Sequence, residues 1–399
     1  MLEGLKVVEL ATHVAAPGAA GILADWGADV VKIEWGSGDP MRQTLAELMP
    51  DHVGPVFHLD NRGKRSVKLD PRSDVGRETI LRLLAQADIF ITNRRPAVLA
   101  ASRLDWETLK ATNPRLIYAS VTGYGGSGPD ADLPGYDVAA FWSRAGVASL
   151  LIPKGEEPFA LRTGVGDHTC SLATVSGILA AVVRRERTGE GGLVETSLLR
   201  SGVYAVGADI ATYLRLGRIG SNRPRKESLV PLVNFFKTSD GQWVCVMPRD
   251  ARADWPNICA AAGRPALVDD PRFRTDRDRR TNVGELITLL VEGFAKVSYD
   301  EVAKRLRALD VVFSPVQSAA QVAADPQAEA AGCFIELTDR NGETFRNTAS
   351  PVRFADEPLA PKSAAPDLGQ HTREVLAEIG YAPAEIDAMI AAAAAKKDA

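Results

Sequence analysis

The first third of the chain alternates between short apolar runs and helical stretches, and this alternation constrains the fold more than any other feature. Leu5–Leu10 (LKVVEL), Asp29–Glu34 (DVVKIE), Asp88–Thr92 (DIFIT) and Arg115–Val121 (RLIYASV) are short and apolar, as buried strands are. Between them, Gly18–Asp25, Arg77–Gln86 and Asp105–Thr112 read as helices. Strands alternating with helices form a parallel sheet covered on both faces. The predicted fold is therefore α/β and Rossmann-like. Ser171–Val183 carries no charge and reads as a buried helix, ended by Gly189–Gly192 and followed by a strand at Leu193–Leu199.

The texture changes at Ile219–Lys226, a polar stretch with Gly and Pro that reads as a linker. Beyond it, Asp240-Gly241 separates two apolar runs within Phe235–Met247, a hairpin signal. Helices are predicted at Asn282–Ala295, Tyr299–Leu309 and Arg373–Gly380. A smaller α+β domain is placed at residues 225–325, after a large domain at 1–224.

Composition narrows the class. With 47 basic and 51 acidic residues, the net charge of -4 gives no general attraction to nucleic acid. No basic segment leads into an apolar stretch at the start, so no signal peptide is expected. No run approaches the ~18 apolar residues of a membrane span. The four cysteines are dispersed, which suits reduced thiols and a cytoplasmic protein. The five histidines show no i, i+4 pair, so no helix-borne metal site is expected. His13, His52, His58 and His371 read as structural.

Three motifs could carry chemistry. Gly123-Tyr-Gly-Gly-Ser-Gly128 fits G-x-G-x-x-G, but Pro129 and Pro134 follow at once where a helix should open. It reads as a glycine-rich loop rather than a dinucleotide fingerprint. The block Asn61–Asp70 carries four cations and is either a phosphate-binding patch or a solvated surface. In Arg162-Thr-Gly-Val-Gly-Asp-His168, Asp167 is either a helix cap or a carboxylate approached closely by backbone.

These blocks, taken in order with several others, resemble the family III coenzyme A transferases. They include Leu5–Leu10, Leu23–Glu34 and Gly38-Asp39, then Asn61–Asp70, Asn93–Pro96 and Asn113–Tyr118. Later come Gly166-Asp167, Arg187–Gly191, Asp270–Phe273, Asp325–Gln327 and Leu368–Thr372. The resemblance implies a large Rossmann-like domain built from both chain ends, so residues 326–399 would return to it. It also implies an interlocked homodimer that takes acyl-CoA and a carboxylic acid as substrates, with no tightly bound cofactor. By position, the nucleophile falls on Asp167. CoA contacts fall on Ala15, Ala16, Leu69, Arg72, Asn93 and Arg94, and the acyl-site segment on Tyr136 and Asp137. The chain departs from the family at Trp35, where some members have a CoA-binding arginine.

Two other readings compete. An α-methylacyl-CoA racemase would need histidine immediately before Asp137, where this chain has Tyr136. A non-catalytic acyl-CoA-binding protein would bind CoA without exchange. The stretch 229–241 also lacks the glycine-rich loop of some oxalate-type members.

Overall fold

The computed structural model describes residues 1–44, 54–357 and 360–395. His52 lies outside the described residues. Two compact units are present: one comprises Met1–Ser149, Phe159–Ala211 and Ala331–Ala399, the other Leu150–Pro158 and Thr212–Ala330.

The first unit holds a parallel sheet of six strands: β1 (Lys6–Leu10), β2 (Asp29–Glu34), β3 (Arg65–Lys68), β4 (Ile89–Thr92), β5 (Ile117–Thr122) and β6 (Gly192–Ser197). Their spatial order is β3-β2-β1-β4-β5-β6, so the winding direction reverses between β1 and β4. The central strands are buried along nearly their whole length, as strands covered on both faces must be. This bears out the α/β expectation. Strand β3 was not anticipated, because its sequence, RSVK, reads as charge rather than as a strand.

Helix α1 (Ala15–Asp25) follows β1 and is almost entirely buried. It lies between α2 (Pro55–Asn61) and the 24-residue helix Val165–Thr188. The approach is close enough that a Cβ at Gly18 would sit 2.7 Å from Ser171 Oγ, and one at Gly21 would sit 2.6 Å from the Asp60 carbonyl oxygen. Ser171 also donates to the Ala15 carbonyl at 2.7 Å, fixing the long helix against the start of α1.

The long helix corrects one expectation. By length and composition alone it is apolar enough to cross a membrane, a test that the core helix of a soluble protein also passes. It is not buried all round: one face packs on α1 and β6, while Leu172 and Val183 are exposed. The glycine-rich loop after β5 opens no helix, in keeping with its reading as a loop. A π-helical stretch begins only at Val138.

The basic block is neither a solvated surface nor an open phosphate patch. Arg62 is buried against Asp25, with Nη2 to Oδ2 at 2.6 Å. Lys64 is buried and donates to Glu9, Pro17 and Asn61 at 2.6–2.9 Å. Glu9 also holds the buried Lys32 at 2.6 Å, and Lys32 in turn reaches Asp39 at 2.9 Å. Burial works against the charge of Lys32, but Glu9 and Asp39 outweigh it and hold its pKa above the ordinary lysine value. Lys64 has fewer acidic neighbours, and burial pulls it down to about 8.

Strand β3 is an edge of the sheet, and the far end of the chain covers it. The Ser66 carbonyl accepts from the His371 N–H at 2.9 Å, and the Lys68 N–H donates to Thr372 Oγ1 at 3.0 Å. A hairpin of β10 (Phe334–Thr338) and β11 (Thr344–Thr348) also belongs to this unit. The second unit holds an antiparallel sheet of β7 (Asn234–Lys237), β8 (Trp243–Met247) and β9 (Val312–Pro315). Its core is apolar and includes Phe236, Trp255, Phe273 and Phe294.

Candidate active site

A cavity of about 260 Å³ opens at the carboxyl ends of β1, β4 and β5, where the winding reverses. Open α/β sheets place their ligands at such a point. Thr12, His13 and Ala15 follow β1, Asn93, Arg94 and Arg95 follow β4, and Thr122 and Gly123 end β5. Leu133–Tyr136, Leu198 and Asp167 complete the wall.

Asn93 ties two of these loops together. Its Nδ2 donates to the Thr12 carbonyl at 2.6 Å, and its Oδ1 accepts from the Thr12 N–H at 3.2 Å. His13 has a φ of 69°, a strained value for a residue with a side chain. Its N–H donates to Asp39 at 3.1 Å, and its ring meets Tyr136 edge-on at 5.5 Å. The sequence reading took His13 as merely structural. The strained turn that brings it into the wall has no local sequence signal.

Asp167 sits in the first turn of the long helix but does not cap it. The N-cap is Gly164, whose φ of 93° a residue with a side chain adopts only under strain. Asp137 holds that turn: its Oδ2 accepts from the Gly164 N–H at 3.0 Å and its Oδ1 from its neighbour Val138 at 2.8 Å. Asp137 is accordingly buried and faces backbone rather than cavity. Among the described residues, the Asp167 carboxylate has no hydrogen-bond partner. Burial pushes its pKa up to about 7, the Asp137 charge adds to the rise, and His168 pulls it back. The ordinary carboxylate value expected for a free aspartate does not hold at this position.

Of the residues singled out in the sequence, Asp167, Ala15, Asn93, Arg94 and Tyr136 meet at this cavity. Ala16 is buried within α1. Leu69 lines a different cavity, of about 610 Å³, with Val75, Leu376 and Met389. Arg72 is exposed and paired with Asp70 at 2.9 Å. Its charge still reaches the site: burial lowers the Arg94 pKa, and repulsion from Arg95 and Arg72 lowers it further. Trp35, the departure noted above, lies under Arg94, with the guanidinium 4.4 Å from the ring centre. Cys170 is buried, as a small core residue would be.

A half-buried, unpartnered carboxylate at the reversal point of a Rossmann-order sheet, in a cavity that arginines also line, defines a covalent or acid–base site for anionic substrates. Residues 2–372 match the model of CoA-transferase family III. The chain belongs to that family, and it is an enzyme with CoA-transferase activity, which implies acyl-CoA and carboxylate substrates. It is 34% identical over 96% of both chains to an (R)-2-hydroxy-4-methylpentanoate CoA-transferase of Clostridioides difficile. It is 33% identical to a cinnamoyl-CoA:phenyllactate CoA-transferase of Clostridium sporogenes, over 97% of this chain and 95% of that one. A crystal structure of a CaiB/BaiF family protein from Brucella suis superposes with a TM-score of 0.85 at 32% identity, covering 94% of this chain and 98% of that one.

Proposed function

We propose that this enzyme moves CoA between acids by covalent catalysis at Asp167. The observation that carries the reading is the free Asp167 carboxylate facing the cavity. A carboxylate oxygen of Asp167 attacks the thioester carbonyl carbon, the C–S bond breaks, and CoA thiolate leaves a mixed anhydride. The thiolate then attacks the aspartyl carbonyl, releasing the donor acid and leaving an aspartyl-CoA thioester. The acceptor carboxylate attacks that thioester, and the thiolate, returning to the new acyl anhydride, frees Asp167. A pKa near 7 supports the role, because a more basic carboxylate is a stronger nucleophile. The first N–H groups of the long helix, which have no acceptor within it, are suited to the tetrahedral oxyanions.

Arg94, its neighbour Arg95 and the nearby charge of Arg72 suit the phosphates of CoA, and Ala15 and Asn93 line the path to Asp167. Ala16 supports this surface from within α1, Leu69 lies at the neighbouring cavity, and Tyr136 borders the acyl group with Asp137 holding the turn before Asp167. The apolar wall of Val98, Val121, Leu133 and Leu198 suits an acid with an apolar side chain. Together with the substrates named for the two clostridial relatives, it points to 2-hydroxy acids of that kind. The reading includes a large domain of residues 1–224 and 326–399 and an interlocked homodimer in the cytoplasm. Exposed Leu172, Val183, Tyr204 and Leu214 support the dimer, and the free cysteines support the compartment.

The test is trapping. Incubation with acyl-CoA followed by hydroxylamine yields a mass change on the peptide carrying Asp167. Exchange in Asp167→Ala at the wild-type rate ends the proposal. An acceptor panel of 2-hydroxy-4-methylpentanoate, phenyllactate, succinate and oxalate tests the substrate class, which fails if oxalate is preferred.

A further inference from the structure

Next to Asp167 in sequence stands a histidine to which the chemistry above gives no role. His168 Nε2 lies 3.0 Å from Asp60 Oδ1. Asp60 belongs to α2 and is 2% exposed, and its second oxygen, Oδ2, is buried with no partner among the described residues. A fully buried carboxylate is costly unless a cation answers it. The answering group is the imidazole, next in the chain to the Asp167 that lines the cavity.

The ring is held at one edge by Asp60 and is otherwise partly exposed. A Cβ at Gly18 would come within 3.5 Å of His168 Cδ2, and one at Gly164 within 3.5 Å of Nδ1. The imidazole thus lies in contact range of both α1 and the turn that introduces Asp167. Gly21 lets α1 and α2 touch, which carries Asp60 to the ring.

We propose that His168, anchored by Asp60, is a positioning residue for the nucleophile: it holds a positive charge beside Asp167 and keeps that carboxylate anionic. The inference rests on the reading of Asp167 as nucleophile.

The surrounding charges favour this arrangement from every packed element. Asp60 meets the imidazole from α2, and the charges of Asp137, at the head of the π-helical stretch, and of Asp167, on its own helix, act on it as well. The hydrogen bond to Asp60 raises the histidine's proton affinity first, burial opposes it, and the three carboxylate charges add to the rise. Lys64 and Lys32 act on Asp60 from behind, and both are bound to Glu9. Arg94 and Arg95 line the cavity from the β4 side. His168 is the cation whose effect on Asp167 is resolved, and that effect favours the anion.

The test is the pH dependence of kcat/KM for CoA exchange in the full-length enzyme. In His168→Gln the acid limb moves to higher pH by on the order of 1 unit, with activity recovering at alkaline pH and the KM for acyl-CoA little changed. His168→Lys, which keeps the charge, holds the limb at or below the wild-type position. A merely structural role predicts a uniform loss with no shift, and a His168→Gln profile that superposes on wild type overturns the inference. If His168→Gln melts below the assay temperature, His168→Lys carries the test alone: a limb displaced upward in it overturns the proposal. Asp167→Ala, run in parallel, separates the two readings. Exchange that survives there removes the nucleophile itself, whereas its loss together with an unshifted His168→Gln profile removes only the role of His168.

Discussion

Two groups of buried charge lie within one sheet unit, and they are treated in opposite ways. At the ends of β1, β2 and β3, Glu9 meets Lys32 and Lys64, and nearly every hydrogen-bonding position is filled. Beside the cavity, Asp167 is half-buried and has no direct partner among the described residues. The first arrangement matches its ions with one another and gives the switch point a fixed frame. The second leaves a carboxylate poised near neutrality. Burial alone therefore does not mark a functional group; the lack of a matched partner does.

The contrast can be broken by mutation, beginning with the largest effect. Asp167→Ala is expected to lower kcat for exchange by ~10³-fold or more, measured with purified enzyme and an acyl-CoA donor. Glu9→Ala leaves two buried lysines without their shared partner and is expected to cost about 3–5 kcal/mol in urea denaturation. Replacing Glu9 and Lys64 together with apolar residues should cost less than that single change, because Lys32 then keeps Asp39 and no buried charge is stranded.

Asp167→Asn should act in the opposite direction on stability. The folded pKa of about 7 lies above the unfolded value, so ionisation lowers stability as pH rises from about 4 through 7. Asparagine removes that cost, and unfolding at pH 8 should show a gain of on the order of 2–4 kcal/mol that shrinks toward zero near pH 4. A variant that is inactive yet more stable would mark Asp167 as held for chemistry. The smallest effect is expected at Arg94→Ala, a roughly tenfold rise in the KM for acyl-CoA with kcat nearly kept. The loss should be larger at low ionic strength, where exposed charges act over greater distances.

Much of the sheet was legible because its central strands are short apolar runs. The exception, β3, shows the limit. Lys64 and Arg65 read as solvated because their partners, Glu9 and Asp29, lie 55 and 36 residues away. The hairpin signal at Asp240-Gly241 worked because a two-strand turn is local. Asp167 was locally ambiguous between cap and nucleophile, and the carboxylate that holds the Gly164 turn is Asp137, 27 residues upstream. The Asp60–His168 pair had no signature, since it depends on three helices meeting through glycines. The long helix looked buried from its composition, yet its apolarity is divided between the sheet and an outer face.

The clasp of residues 369–372 on β3 bears on biosynthesis. A ribosome delivers β1, β2 and β3 hundreds of residues before His371 and Thr372 emerge to meet Ser66 and Lys68. In that interval the outer edge of the sheet offers unpaired backbone groups, a template for pairing with other nascent chains. Chains halted near residue 330 should therefore be held by chaperones or enter aggregates, whatever the state of the second unit. A reporter of nascent-chain solubility, read at successive stall points, should register the change only when the last elements arrive.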